Sequence, residues 1–271
     1  MRGVFAVGVM DFFLEKGIRF DYVAGVSAGA CNACSYLSGQ KGRGYSVLTD
    51  YIGVPEYCSV RSLIKTGDLF GADFIYRKIP EELYPIDNDY FKDSGVRFQA
   101  VVTNCVTGEA EYKDVRDFFQ EMDVVRASSS LPFLARMVPI DGIPYLDGGI
   151  ADSIPLAHAQ EEGNEKNVVI LTRPRDYEKK TGQPLMPALK LKYGKYPGLL
   201  AALKERGRKY NETLRYIAQE EEKGNVFVIA PLGDLGIGRA DMNKDRLRKG
   251  YEEGYYVAEG LYQKMMEFLE K

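Results

Sequence analysis

Gly25-Val26-Ser27-Ala28-Gly29 stands between an apolar stretch and a run of small residues, and that context constrains the fold more than any other feature of the chain. Phe20 to Val26 reads as a short strand, and Ala28-Gly29-Ala30 opens a helix expected to end near Gly39. A serine carried on such a strand-to-helix turn is held in a strained backbone conformation that projects its hydroxyl into a cleft. Glycines two residues to either side, Gly25 and Gly29, are expected to remove Cβ atoms that would collide there. The helix then points its N-terminus at the reacting centre, and the Ala28 N–H is placed to bind an oxyanion.

The rest of the pattern alternates helix and strand. Val4, Phe5, Val7, Met10, Phe13 and Leu14 recur at helical spacing before a stop at Gly17. Val96 to Thr103 predicts a strand that pairs with 109–113 through the Thr107-Gly108 turn. Val124 to Ser129 predicts a short helix, and Ile143 to Leu146 a short strand that delivers Asp147-Gly148-Gly149 to its end. Ser153 is expected to cap a helix with Pro155 in its first turn. Asn167 to Thr172 and Asn225 to Ala230 are continuous apolar runs, the pattern of strands buried on both faces, and Asn243 to Lys271 reads as a long terminal helix. The stretch from Gly42 to Asp93, interrupted by Pro55, Pro80 and Pro85, supports no clear assignment. The expected class is α/β, with a mostly parallel central sheet and a single domain over 1–271 in which 232–271 is a C-terminal helical extension.

Composition removes several functional classes. The 271 residues carry 36 basic and 39 acidic side chains, a net charge of −3, which gives no electrostatic footprint for nucleic acid. No apolar stretch approaches the roughly 20 residues of a membrane span, and no cleavage-site pattern follows Met1, so the expected location is cytoplasmic or peripheral to a membrane. Four cysteines and one histidine leave no recognisable metal-ligand spacing, and neither a metal nor a cofactor is expected. Cys31 and Cys34, one helical turn apart, read as packing residues.

A serine hydroxyl is inert without a base. His158 is the only histidine, and the order Ser27, Asp147, His158 is that of an α/β-hydrolase triad. However, His158 falls inside the helix after Pro155, and only 26 residues precede Ser27, too few for the strands that fold places before its nucleophile. Asp147 is the better base. It ends a strand, two glycines let the backbone turn tightly after it, and partial burial would raise its pKa into a useful range.

Gly25-Val26-Ser27-Ala28-Gly29 together with Asp147-Gly148-Gly149, 120 residues further on from Ser27, resembles the patatin-like phospholipase family. Arg2-Gly3 resembles the end of that family's G-G-G-x-R-G oxyanion motif, and Ala127 to Pro132 the helix end before its aspartate strand. The segment from Asp147 to Pro155 is similar to its D-G-G/A-x-x-x-x-x-P pattern, and Gly236-Ile237-Gly238-Arg239 with the terminal helix to a bacterial subgroup. The resemblance implies a three-layer patatin-like sandwich and metal-independent lipid acyl-ester hydrolysis by a Ser–Asp dyad through an acyl-enzyme. By this resemblance Ser27 is the nucleophile, Asp147 the general base, and Arg2, Gly3 and Ala28 border the oxyanion hole. The sequence opens at the x of the oxyanion motif, without the apolar strand and glycine triplet that the family places before it, so the expectation is either an incomplete oxyanion loop or a Met1 that is internal to a longer chain. The alternatives are a general carboxylesterase or thioesterase with the same dyad, and a catalytically impaired lipid-binding homologue.

Residues 190–215 carry eight basic side chains interleaved with Leu191, Tyr193, Tyr196, Leu199, Leu200 and Leu203. Such a segment reads either as a solvated helix face whose apolar stripe packs on the core, or as a basic amphipathic stretch in transient contact with an anionic membrane surface, where a lipid or other acyl-ester substrate would be presented.

Overall fold

The computed structural model describes residues 1–270, so the last residue assigned to the terminal helix, Lys271, lies outside the described residues. Helix α1 (Val4–Lys16) follows Arg2-Gly3 directly. Val4, Phe5, Val9, Phe12 and Phe13 are all buried, because the helix is covered on more than one side. Gly17 ends it in the left-handed conformation, φ 67°, with its N–H on Leu14 O at 3.2 Å. Strand β1 (Tyr22–Val26) then leads through Ser27 into α2 (Ala28–Leu37).

The stretch that resisted assignment contains α3 (Arg43–Thr49), α4 (Val60–Thr66), a π-helical segment at Phe74–Leu83 and α5 (Asn88–Asp93). All three α-helices here are too short for a clear hydrophobic period. Pro80 lies within the π-helical segment, where its missing N–H cannot support a regular ladder. Beyond it come β2 (Arg97–Asn104), β3 (Ala110–Asp114), α6 (Met122–Ser128), β4 (Val138–Ile140) and β5 (Ile143–Asp147). The remaining elements are α7 (Leu156–Glu161), β6 (Asn167–Ile170), α8 (Met186–Tyr193), α9 (Pro197–Glu222), β7 (Val226–Ile229) and α10 (Lys244–Glu270).

Strand β2 organises the five-stranded sheet. On one edge it carries β3, antiparallel, with Thr103 opposite Ala110. The other edge is shared by two strands. Strand β1 runs parallel along the first part, from Tyr22 opposite Arg97 to Val26 opposite Val101. Strand β5 runs antiparallel along the rest, with Asp147 opposite Val102 and Tyr145 opposite Asn104. β4 extends the sheet antiparallel to β5, and β6 and β7 form a separate parallel pair. The class is α/β as expected, with a mixed rather than mostly parallel sheet, because β5 enters from the far end of β2.

Helices α1 and α10 touch backbone to backbone. A Cβ on Gly8 would lie 2.0 Å from Tyr251 O, and one on Gly254 would lie 2.0 Å from Phe5 O. Buried Asp11 of α1 accepts from Tyr251 Oη at 2.9 Å and from Gly42 N at 3.0 Å, joining α10, α1 and the entry to α3.

Residues 190–215 span parts of α8 and α9, and Tyr193, Leu199 and Leu203 pack with Cys105, Leu146 and Ile150 in a second core cluster, as the core-packed reading of this stripe expects. The apolar side is thus taken up inside the protein, and Leu191 is the large apolar side chain of this stretch left exposed, at 91%. Ser153 does not cap α7, whose N-cap is Pro155; its Oγ donates instead to Gly149 O at 2.9 Å. No described helix is long and apolar enough to cross a membrane.

Candidate active site

The sharing of one β2 edge explains how Ser27 and Asp147 meet. Along that edge Val26 occupies the position opposite Val101, and the next position, opposite Val102, is taken by Asp147. The chain cannot continue β1 past Val26 and leaves the sheet at Ser27, with φ 55° and ψ −120°. A non-glycine residue in this region is strained, by on the order of 1–3 kcal/mol. The surroundings hold it: Ser27 N donates to the buried Ser128 Oγ at 2.9 Å, and Ser27 O accepts from Ala30 N at 3.0 Å and Cys31 N at 3.2 Å. Gly25 is required by close packing, since a Cβ there would lie 2.7 Å from Ala30 Cα. Gly29 is not: a Cβ there would meet nothing within 4 Å, so the expected collision applies to one glycine of the pair.

Asp147 is 1% exposed. Its N–H donates to Ser130 O at 2.8 Å and its carbonyl accepts from Thr103 Oγ1 at 2.8 Å, which fixes the end of β5 from two sides. Gly148 lies against Val101 O, 2.1 Å from where a Cβ would be, so the turn is open only to glycine. Carboxylate Oδ1 accepts from Gly149 N at 2.8 Å. Among the described residues Oδ2 has no hydrogen-bond partner, an uncommon state for a buried carboxyl oxygen and one that calls for an explanation. Burial pushes the Asp147 pKa up, opposed by the Arg206 guanidinium, by the neighbouring Ser27 hydroxyl and by the Gly149 N–H. The Ser27 hydroxyl is the side chain beside this carboxylate, and it favours the ionised form.

Both residues line a cleft of about 1060 Å³. Arg2, Gly3 and Ala28 line it too. The Ala28 N–H is in the first turn of α2, where no intrahelical acceptor exists. Gly3 is pinned beside it: its carbonyl accepts from Asn32 Nδ2 at 2.8 Å, and a Cβ on Gly3 would lie 2.8 Å from Ala28 Cβ. The Arg2 guanidinium, by contrast, turns toward Ile237 O at 3.4 Å.

His158 is placed elsewhere. Its Nε2 lies 2.9 Å from Gln99 Oε1, and its ring stacks on Tyr112 with centroids 3.5 Å apart. Cys34 is buried with Sγ on Ala30 O at 3.3 Å, and Cys31 contacts Ser129 Oγ at 3.2 Å; both are free thiols in packed positions. Among the described residues no group of three or more metal-ligating side chains is clustered.

The sequence reading missed Ser128, Thr103 and above all Arg206. Arg206 of α9 sends Nε to Gly149 O at 2.5 Å, two residues after Asp147. It sits in the basic tract that reads as a solvent-facing surface, and no local signal separates it from Arg208, which pairs with Glu205 and Glu212 on the outside.

A buried carboxylate beside a serine on a strained strand-to-helix turn defines a candidate acyl-transfer site. A family model for patatin-like phospholipase matches residues 1–159, more than half of the chain, and the chain belongs to that family. It is thereby a member of a family of lipid acyl hydrolases. A second model, a domain of unknown function (DUF6363), matches residues 196–270. The uncharacterized protein YjjU of Escherichia coli (strain K12) is 32% identical over 183 residues, which are 64% of this chain and 49% of that protein. The match thus spans about half the length of that relative.

Proposed function

We propose that the chain hydrolyses the acyl ester of a lipid through an acyl-enzyme, with Ser27 as nucleophile and Asp147 as its general base. The observation that supports this reading is the convergence of β1 and β5 on one edge of β2, which brings the strained Ser27 to the end of β5, where the buried Asp147 keeps one carboxyl oxygen unpartnered among the described residues. Asp147 Oδ2 takes the hydroxyl proton as Ser27 Oγ attacks the ester carbonyl. The oxyanion is received by the Ala28 N–H at the α2 terminus, bordered by Gly3 and Arg2. Collapse of the tetrahedral intermediate expels the alcohol, which takes the proton back from Asp147. Water, deprotonated by Asp147, then attacks the acyl-serine, and collapse releases the fatty acid as Ser27 Oγ takes the proton back from Asp147. Positioned general-base catalysis of this kind is worth roughly 10²–10⁴ in rate.

Met10, Phe13, Val47, Leu48, Ile75 and Leu134 line the same cleft and offer an apolar wall for the acyl chain. We read residues 1–271 as one hydrolase domain with 232–271 packed onto it, a reading supported by the backbone contact between α1 and α10. The test is labelling by a fluorophosphonate, which reacts with activated serines. The label is expected on Ser27 by peptide mapping and is expected to vanish in Ser27→Ala; absence of labelling in the parent protein would remove the nucleophile assignment.

A further inference from the structure

The cleft has a second wall, built by residues beyond the 1–159 match. Arg173, Lys179, Arg206 and Arg239 line it with Arg2, facing the same space as Ser27 and Asp147. Of these five cations only Arg173 has a carboxylate ion-pair partner among the described residues, Asp234 at 3.1 Å. Asp147 is the other carboxylate to which Lys179 and Arg206 respond, and it does not balance the group. Burial, with repulsion from Arg206, Arg239 and Arg2 and only partly opposed by Asp147, lowers the Lys179 pKa to about 7.

The arrangement is constructed rather than incidental. Asn211 of α9 clamps the backbone of Lys179, accepting from its N–H at 2.8 Å and donating to its carbonyl at 3.0 Å. Tyr177 and Tyr210 pack edge to face with centroids 6.0 Å apart, and each carries a cation over its ring: Arg173 at 4.7 Å and Lys179 at 4.6 Å. Gathering like charges in a half-buried cleft is unfavourable unless an anion completes the site.

We propose that Lys179, Arg206 and Arg239 form a subsite for a phosphate group, so that residues beyond the 1–159 match read the charge of the substrate while the 1–159 segment holds the reacting ester. The site selects a phosphate-bearing acyl ester over a neutral one, a conclusion that rests on the acyl-hydrolase reading. Arg206 ties the two parts together through its bond to Gly149 O, which sets the guanidinium beside the carboxylate end of β5.

The experiment compares kcat/KM for a short-chain phosphatidic acid and the diacylglycerol of the same chains, both below their aggregation limits. The parent protein is expected to favour the phosphate-bearing ester by about tenfold or more, and Lys179→Gln with Arg239→Gln is expected to reduce that ratio by about tenfold or more. Inorganic phosphate is added as a competitor. Competitive inhibition that the double variant loses identifies free phosphate as an occupant, and preference without inhibition identifies the phosphate of the ester itself. A ratio near unity, or one the double variant leaves unchanged, overturns the proposal. If the parent protein hydrolyses neither ester, the acyl-hydrolase reading fails instead. Calorimetric titration of the Ser27→Ala protein with inorganic phosphate then decides the subsite, which is overturned if no binding heat is lost in the double variant.

Discussion

Arg206 Nε lies 2.5 Å from the carbonyl oxygen of Gly149, so a side chain from α9 reaches the residue whose own N–H binds the Asp147 carboxylate. Its charge is also the largest influence opposing the effect of burial on Asp147. Removing that charge leaves burial less opposed. Arg206→Gln is therefore expected to move the acidic limb of the kcat/KM profile to higher pH, because the base must be ionised to accept the serine proton. A limb that stays in place or moves down contradicts this electrostatic role.

The same burial makes Asp147 a cost to the folded state. Its folded pKa lies above the unfolded value, so its favourable contribution is present at pH below the ordinary carboxylate range and is lost as pH rises through the raised value. Above the ordinary carboxylate range, keeping this carboxyl buried with one oxygen unpartnered among the described residues therefore costs stability. Asp147→Asn is expected to melt at a higher temperature than the parent at pH 7, with the difference shrinking toward pH 4. Thermal unfolding followed by circular dichroism at the two pH values checks both the sign and the trend.

The two glycines of the elbow are expected to respond differently. Gly25→Ala places a Cβ 2.7 Å from Ala30 Cα and is expected to destabilise by about 1–3 kcal/mol. Gly29→Ala places its Cβ in open space and is expected to change stability by less than roughly 0.5 kcal/mol. Urea unfolding of the pair measures this contrast, and equal losses would contradict the packing described around α2.

Local pattern made much of this legible. The turn at Ser27, the strand ending at Asp147, the β2–β3 hairpin and the two long apolar strands are all encoded within ten or so residues of themselves. What no local pattern carries is the pairing. Ser27 and Asp147 each read as the residue at the end of a strand, but that the strands abut on one edge of β2 depends on Val101 and Val102 choosing different partners. The same limit applies to residues 190–215. Tyr193, Leu199 and Leu203 are indistinguishable from a lipid-facing stripe until Cys105 and Leu146 are placed against them, and Arg206 from a surface cation until Gly149 is placed beside it. Residues 42–93 escaped assignment because short helices and a π-helical segment with an internal proline leave no period to read.

The account stands on Asp147, rather than His158, receiving the serine proton, and the turnover of Asp147→Asn on a soluble ester, set beside His158→Ala, tests this most directly. His158 is engaged by Gln99 and Tyr112. The dyad predicts that kcat of Asp147→Asn falls by roughly 10²–10⁴ while His158→Ala stays within a few-fold of the parent. Collapse of His158→Ala with turnover retained in Asp147→Asn would contradict it.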